Sequence, residues 1–234
     1  MSDPVVIVSA ARTPIGGMLG DFSSLQAWQL GAVAIKAAVA RAGVKGDAID
    51  EVFMGNCLMA GQVQAPARQA TLAAGLPQSA GAVTLSKMCG SGMRTMMFAH
   101  DMLVAGSASI LVAGGMESMT NAPHLLVNSR KGYRYGAVTM FDHMALDGLE
   151  DAYERGKAMG VFAEQCVAKY SFTREAQDKF AIASTERSLK ANTDGSFAWE
   201  IAPVTIAGKG GDTKIDKDEQ PFKAKLDKIP GLKP

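Results

Sequence analysis

The chain is poor in the residues that mark specialised classes of protein. Cysteine occurs three times, at 57, 89 and 166, with no C-x-x-C spacing and no even-numbered framework. That excludes a disulfide scaffold and a cysteine-built zinc site, and it suits reduced thiols in a reducing compartment. Histidine is equally scarce, at 100, 124 and 143. There is almost no net charge, +1 from 24 Lys or Arg against 23 Asp or Glu, so the basic excess that draws a protein to nucleic acid is missing. No apolar run reaches the length needed to span a bilayer, and the chain enters an extended segment at Val5 with neither a basic n-region nor an apolar h-region. The expectation is a cytoplasmic protein without a membrane partner. No internal repeat is visible.

What is present describes a globular core. The 234 residues are 47% hydrophobic, enough to bury a sizeable interior. Charge is uneven: residues 1–120 hold only 7 Lys or Arg and 7 Asp or Glu, and residues 121–234 hold the other 17 and 16. This predicts a buried α/β core over 1–120 and a solvent-washed accessory region over 121–234. Within the first part, Pro4–Ala10 is a continuous apolar run, the pattern of a central strand covered on both faces. Leu25–Ala42 reads as a helix stopped by Gly43, Asp50–Asn56 as a strand, Ala65–Ala74 as an Ala-rich helix and Ser109–Ala113 as a buried strand. Alternating strands and helices at this spacing imply a parallel or mixed sheet. In the second part, Thr173 caps a helix that runs through Phe180, and 208–220 has the turn-rich composition of a hairpin or loop.

The stretch Leu85-Ser86-Lys87-Met88-Cys89-Gly90-Ser91-Gly92-Met93 gives this framework a chemical centre. Gly81–Leu85 is short and apolar, and helical spacing follows from Met93 to Val104, ending at Ala105-Gly106. A thiol where a strand passes into a helix lies near unpaired N–H groups and the positive end of the macrodipole, which favour an anion such as a thiolate. Glycines at 90 and 92 leave the sulfur uncovered, so a thioester can approach closely. The competing reading is a buried cysteine that acts as a small hydrophobe.

Lys87-Met88-Cys89-Gly90-Ser91-Gly92 resembles the nucleophile motif of the thiolases, the acyltransferases that make or cleave 3-ketoacyl-CoA. Val6–Gly16, Met54–Cys57, Gly61–Ala70, Gly114–Met119 and Gly160–Ala183 resemble the same family in the same order. The resemblance implies an α/β thiolase-like fold, here the N-terminal half with a mixed sheet and flanking helices plus an inserted loop domain. It implies ping-pong Claisen chemistry through acyl-Cys89, or the reverse thiolysis, with acyl-CoA and CoA as partners, no cofactor and a homodimer or homotetramer. It places Leu149 and Met159 in the acyl pocket and Arg68 near a subunit interface, and it implies a basic group toward the nucleotide end of CoA, for which Lys223 is the candidate beside Phe222. Thiolase chains run well past residue 234. The family's activating His, second catalytic Cys and oxyanion Asn belong to a C-terminal half with no counterpart before Pro234, and such a half alone is expected to expose apolar surface.

Two features depart from the short-chain pattern. Ala158 stands where many short-chain thiolases carry His, which puts an acetyl-specific pocket in doubt, and Phe222 stands near a position where relatives use a basic residue. His100 lies eleven residues along the Cys89 helix, roughly 16 Å away at about 1.5 Å per residue, out of reach of the sulfur. Cys57 and Cys166 read as structural, and Glu117 as an ordinary acid near a helix start. Two rival readings remain open at this stage: a ketoacyl synthase, also built on a cysteine at a helix start, and a non-catalytic binding or assembly module.

Overall fold

The computed structural model describes residues 4–233. Three short strands, β1 (Glu51–Gly55), β2 (Gly81–Leu85) and β3 (Leu111–Gly115), form a parallel sheet in the order β2-β1-β3. The central strand pairs residue for residue with both neighbours, Glu51 to Gly55 facing Gly81 to Leu85 on one side and Leu111 to Gly115 on the other. Side chains alternate between faces of a strand. Val52 and Met54 therefore point into a core built with α1 (Ala27–Ala42) and α2 (Pro66–Ala73), where Ala27, Ile35 and Ala70 are buried against them. The opposite face receives α3 (Ser91–Val104).

Sequence chemistry accounts for these boundaries. Gly43 closes α1 in the left-handed region at φ +65°, which only glycine enters without strain. Gln26 and Gln29 form a reciprocal capping pair at the other end. Pro66 occupies the first turn of α2, where its missing N–H is no loss. Helix α3 turns a narrow stripe toward the sheet, Ser91, Thr95 and Ala99 at intervals of four. The Thr95 hydroxyl lies 2.7 Å from the Gly92 carbonyl and 3.0 Å from the Gly114 carbonyl at the end of β3. Its other face leaves Met93, Met96 and Met97 exposed.

The apolar run 4–10 departs from expectation. It belongs to no strand, and Val6, Ile7 and Val8 are exposed, Ile7 by 84%. A continuous apolar run specifies a segment with much to bury but not the partner that covers it. Here the central position belongs to β1.

The chain divides into two compact units. The first takes in the chain up to Ala11 together with Ser23–Leu149, and the second Arg12–Phe22 with Glu150 onward. The first unit also holds a small antiparallel ladder, β4 (His124–Leu125) with β5 (Phe141–Asp142), followed by a π-helical turn at Ala145–Leu149. The second contains α4 (Met159–Tyr170), α5 (Arg174–Thr193), the hairpin β6 (Val204–Ile206) and β7 (Thr213–Ile215), and the short α6 (Glu219–Lys223). Thr173 caps α5 as its side-chain chemistry predicts, accepting the Ala176 N–H at 3.2 Å.

In this second unit Arg12 is the tie for segment 12–22. Its guanidinium meets Asp218 with two contacts of 2.7 and 3.1 Å, meets Glu200 at 2.5 Å and lies over the Phe197 ring. Asp218 also accepts the Ile15 N–H, and Glu219 accepts the N–H groups of Gly17 and Asp21. Burial opposes ionisation of Asp218, but Arg12, the Ile15 N–H and Asn192 together hold its carboxyl below the usual range. Among the described residues no helix is long and apolar enough to cross a membrane.

Candidate active site

Cys89 stands one residue before the helix cap Gly90, where β2 passes into α3. It is exposed, which disposes of the buried-hydrophobe reading. The turn that presents it is built locally. Met88 takes a left-handed φ of +50°. The Gly90 and Ser91 N–H groups close back onto the carbonyls of Lys87 and Met88 at 3.1 and 3.0 Å. The Ser91 hydroxyl, almost fully buried, accepts the Lys87 N–H at 2.8 Å and donates to the Met88 carbonyl at 2.6 Å. The backbone of this turn is thereby pinned from within, with Cys89 exposed upon it.

Cys89 lines a cavity of about 440 Å³. Three connections converge on it, each leaving the carboxyl end of a parallel strand: 55–58 after β1, 88–92 after β2 and 115–119 after β3. Ligand sites of open α/β sheets lie at these ends. The remaining wall comes from Met144 and, within the π-helical turn, Gly148 and Leu149. The lining is largely apolar and rich in methionine, with Cys57, Cys89, Ser91, Asn56 and Glu117 as its polar members.

The 55–58 connection is held firmly. Gly55 packs so closely on α3 that a Cβ there would stand 2.6 Å from the Ser91 Cβ and 2.8 Å from the Gly92 nitrogen. Past Gly55, the Glu117 carboxylate gathers the connection: it accepts the Asn56 side-chain amide at 2.5 Å, the Cys57 N–H at 2.8 Å and the Leu58 N–H at 3.1 Å. Cys57 is half-buried with its sulfur 3.7 Å from the Ser91 hydroxyl. Burial, above all, pushes its thiol above the ordinary range; the Ser91 hydroxyl opposes this and the Glu117 carboxylate adds a smaller push in the same direction as burial.

Of the residues singled out by sequence, Cys89 and Leu149 line this cavity together. Met159 and Lys223 belong to the second unit. Met159 is the first residue of α4 and 44% exposed. Lys223 is ion-paired with the buried Glu219, which raises its pKa, while 62% of its side chain remains exposed. Arg68 spends its guanidinium inside the first unit, on the carbonyls of Ala80 and Gln78.

No histidine lines the cavity. His100 and His124 are exposed. His143 is buried, with Nδ1 2.7 Å from Asp147 and Nε2 accepting the Ala60 N–H, a partnership that assigns the Nδ1–H tautomer. Cys166 is exposed on α4. Among the described residues, no group of three or more His, Cys, Asp or Glu is arranged to hold a metal ion. Glu117 is the site residue that sequence reading passed over. Its signal was its place two residues after the Gly-Gly that ends β3, at the carboxyl edge where ligands bind.

Comparison with known proteins agrees with this geometry. The family model "Thiolase, N-terminal domain" matches residues 5–234. The cytosolic acetyl-CoA acetyltransferase ERG10 of Gibberella zeae is 46% identical over 233 residues, covering 99% of this chain and 58% of that protein. Mitochondrial acetyl-CoA acetyltransferase A of Xenopus laevis is 50% identical over 230 residues, 98% of this chain and 54% of that one. In three dimensions the chain is similar to the Acat5 thiolase from Ascaris suum, solved in complex with coenzyme A, with a TM-score of 0.90 at 36% identity over 97% of this chain and 57% of that one. The chain thus spans just over half the length of the curated relatives it matches. On the combined weight of motif, fold and sequence identity, it belongs to the thiolase family.

Proposed function

We propose that the protein containing this chain is an acyl-CoA acyltransferase of the acetyl-CoA C-acetyltransferase type, with Cys89 as its nucleophile. The observation that carries the reading is the exposed Cys89 sulfur, held by a hydrogen-bonded turn at the rim of a mostly apolar cavity at the carboxyl edge of the sheet. In the first half-reaction the Cys89 thiolate attacks the thioester carbonyl. A C–S bond forms, the bond to CoA breaks, and the departing CoA thiolate takes up a proton. In the second, the carbanion of acetyl-CoA attacks acyl-Cys89, forming the C–C bond of a 3-ketoacyl-CoA; in the thiolysis direction the Cys89 thiolate instead attacks the 3-keto carbonyl, that C–C bond breaks, the carbanion takes up a proton and leaves as acetyl-CoA, and the CoA thiolate then takes the acyl group. Both directions release the Cys89 thiolate. The groups that move these protons and complete the oxyanion site are assigned, by resemblance to thiolases, to a C-terminal half.

Leu149 supports the acyl end of this reading from within the cavity. Met159, which matches the family's pocket methionine, is proposed as an acyl-contacting residue. Lys223 is proposed to face the nucleotide end of CoA, where Glu219 competes for its charge. Four methionines in the cavity lining and Ala158 in place of the family's short-chain His favour tolerance of acyl groups larger than acetyl. A homodimer or homotetramer in the cytoplasm is the proposed working state, which the exposed Val6–Val8 strip and the Met93, Met96 and Met97 face support.

Steady-state kinetics of the full-length protein test the proposal. Parallel-line ping-pong patterns with a 3-ketoacyl-CoA and CoA as the two substrates are expected, and C89S lowers turnover by about 10³-fold or more. Intersecting lines, or a C89S variant of ordinary activity, overturn it.

A further inference from the structure

Beyond Gly55 the cavity wall leaves the sheet, yet it is held as tightly as a strand. The Asn56 N–H still reaches the Leu85 carbonyl at 3.0 Å, but the next two N–H groups, of Cys57 and Leu58, turn onto the two oxygens of one carboxylate, Glu117. The Asn56 amide reaches the same carboxylate at 2.5 Å and the Met116 carbonyl at 3.1 Å. Its own oxygen accepts from Gln62, whose nitrogen also lies 2.7 Å from the Leu58 carbonyl. Consecutive backbone N–H groups converging on one anion make a rigid concavity, and bonds to an ionised acceptor are about twice as strong as neutral ones.

All three of Glu117's partners are donors. A neutral amide in its place would set an NH₂ against at least one of them, so the arrangement requires a carboxylate rather than merely a polar side chain. The wall is continuous with the nucleophile's turn: the Cys57 sulfur lies 3.7 Å from the Ser91 hydroxyl, which bonds both Lys87 and Met88. Glu117 itself lines the cavity.

We infer that Glu117 is a positioning residue for acyl transfer: its carboxylate fixes Asn56, Cys57 and Leu58 as the wall against which the thioester is oriented for attack by Cys89. The inference rests on the acyl-cysteine reading above. It separates two reactions of the same sulfur. A small alkylating agent needs only an accessible thiol, whereas a thioester needs the wall, and misplacement by about 1 Å costs on the order of 100-fold in rate.

The test compares wild type and E117Q as full-length proteins, following acetylation of Cys89 by acetyl-CoA and its alkylation by iodoacetamide, both by intact mass. E117Q is expected to acetylate about 10- to 100-fold more slowly while alkylation changes less than about twofold, the loss appearing in kcat rather than KM. A merely structural role would slow both reactions together or neither, and either pattern overturns the inference. Should E117Q fail to fold, E117D keeps the charge but withdraws the carboxylate by one methylene. Slowed acetylation with unchanged alkylation then supports the role, and unchanged acetylation overturns it. If wild type itself takes up no acetyl group at Cys89, the acyl-cysteine reading falls and this inference with it. That result is distinct from equal acetylation of both proteins, which removes the Glu117 role alone.

Discussion

Met88 stands directly before the nucleophile with φ +50°, a conformation that costs a residue with a side chain about 1–2 kcal/mol. The structure offsets it with the paired hydrogen bonds of the Ser91 hydroxyl on either side. Strain of this kind next to a reactive atom keeps the sulfur at the rim instead of letting it relax into the helix. The three thiols consequently sit in different surroundings. Cys89 and Cys166 are exposed, and Cys57 is half-buried, burial chiefly and the neighbouring carboxylate in lesser part holding its proton on. Timed alkylation with iodoacetamide near pH 8, read by peptide mass, should label Cys89 and Cys166 before Cys57. Prior labelling of Cys57 would contradict the burial and charge described for it.

At the scale of elements, the site depends on how closely β1 approaches the start of α3. Glycine at 55 permits that approach, because any Cβ there meets the Ser91 Cβ and the backbone of Gly92. G55A is therefore expected to destabilise the protein by about 1–3 kcal/mol, as overpacking does, and to slow the reaction at Cys89 by displacing its turn. Denaturant unfolding monitors the first effect and acetylation the second. An unchanged midpoint would show that the approach is slacker than its geometry.

Elements whose signal is local could be read from sequence. Gly43 as a stop, Thr173 as a cap, and the strand-to-helix passage around Cys89 each depend on a few adjacent residues. The run 4–10 could not be placed, because apolarity alone does not name a pairing partner, and the ladder positions went to β1, β2 and β3. The position of Glu117 was legible, but its partners were not, for a related reason. Its partners, Asn56, Cys57 and Leu58, lie about sixty residues away in the chain, and only the parallel pairing of β1 with β3 brings the two together.

At the scale of the whole molecule, the first unit carries the nucleophile and the second is tied by buried carboxylates. Lys223 first, then the N–H groups of Gly17 and Asp21, bring Glu219 from an ordinary value of 4.5 to about 2. A carboxyl depressed in the folded state contributes stability that is fully present above its unfolded pKa and is lost as pH falls through the folded one. The Glu219 contribution should therefore be intact above about pH 4.5 and disappear toward pH 2. In E219Q that part of the acid dependence should be missing, so thermal unfolding of the two proteins should converge as pH drops across this window. A difference that holds constant would show that Glu219 is not the titrating group.

The same scale gives the family assignment its weight. Motif, cavity and sheet edge agree in the first unit, and the chain matches just over half the length of its relatives. The most direct measurement is peptide mapping of the full-length protein quenched in acid after brief exposure to acetyl-CoA. One acetyl group on the peptide containing Cys89, absent from C89S and removed by added CoA, is the predicted result; an unmodified Cys89, or acetyl found only on Cys57 or Cys166, would contradict the account.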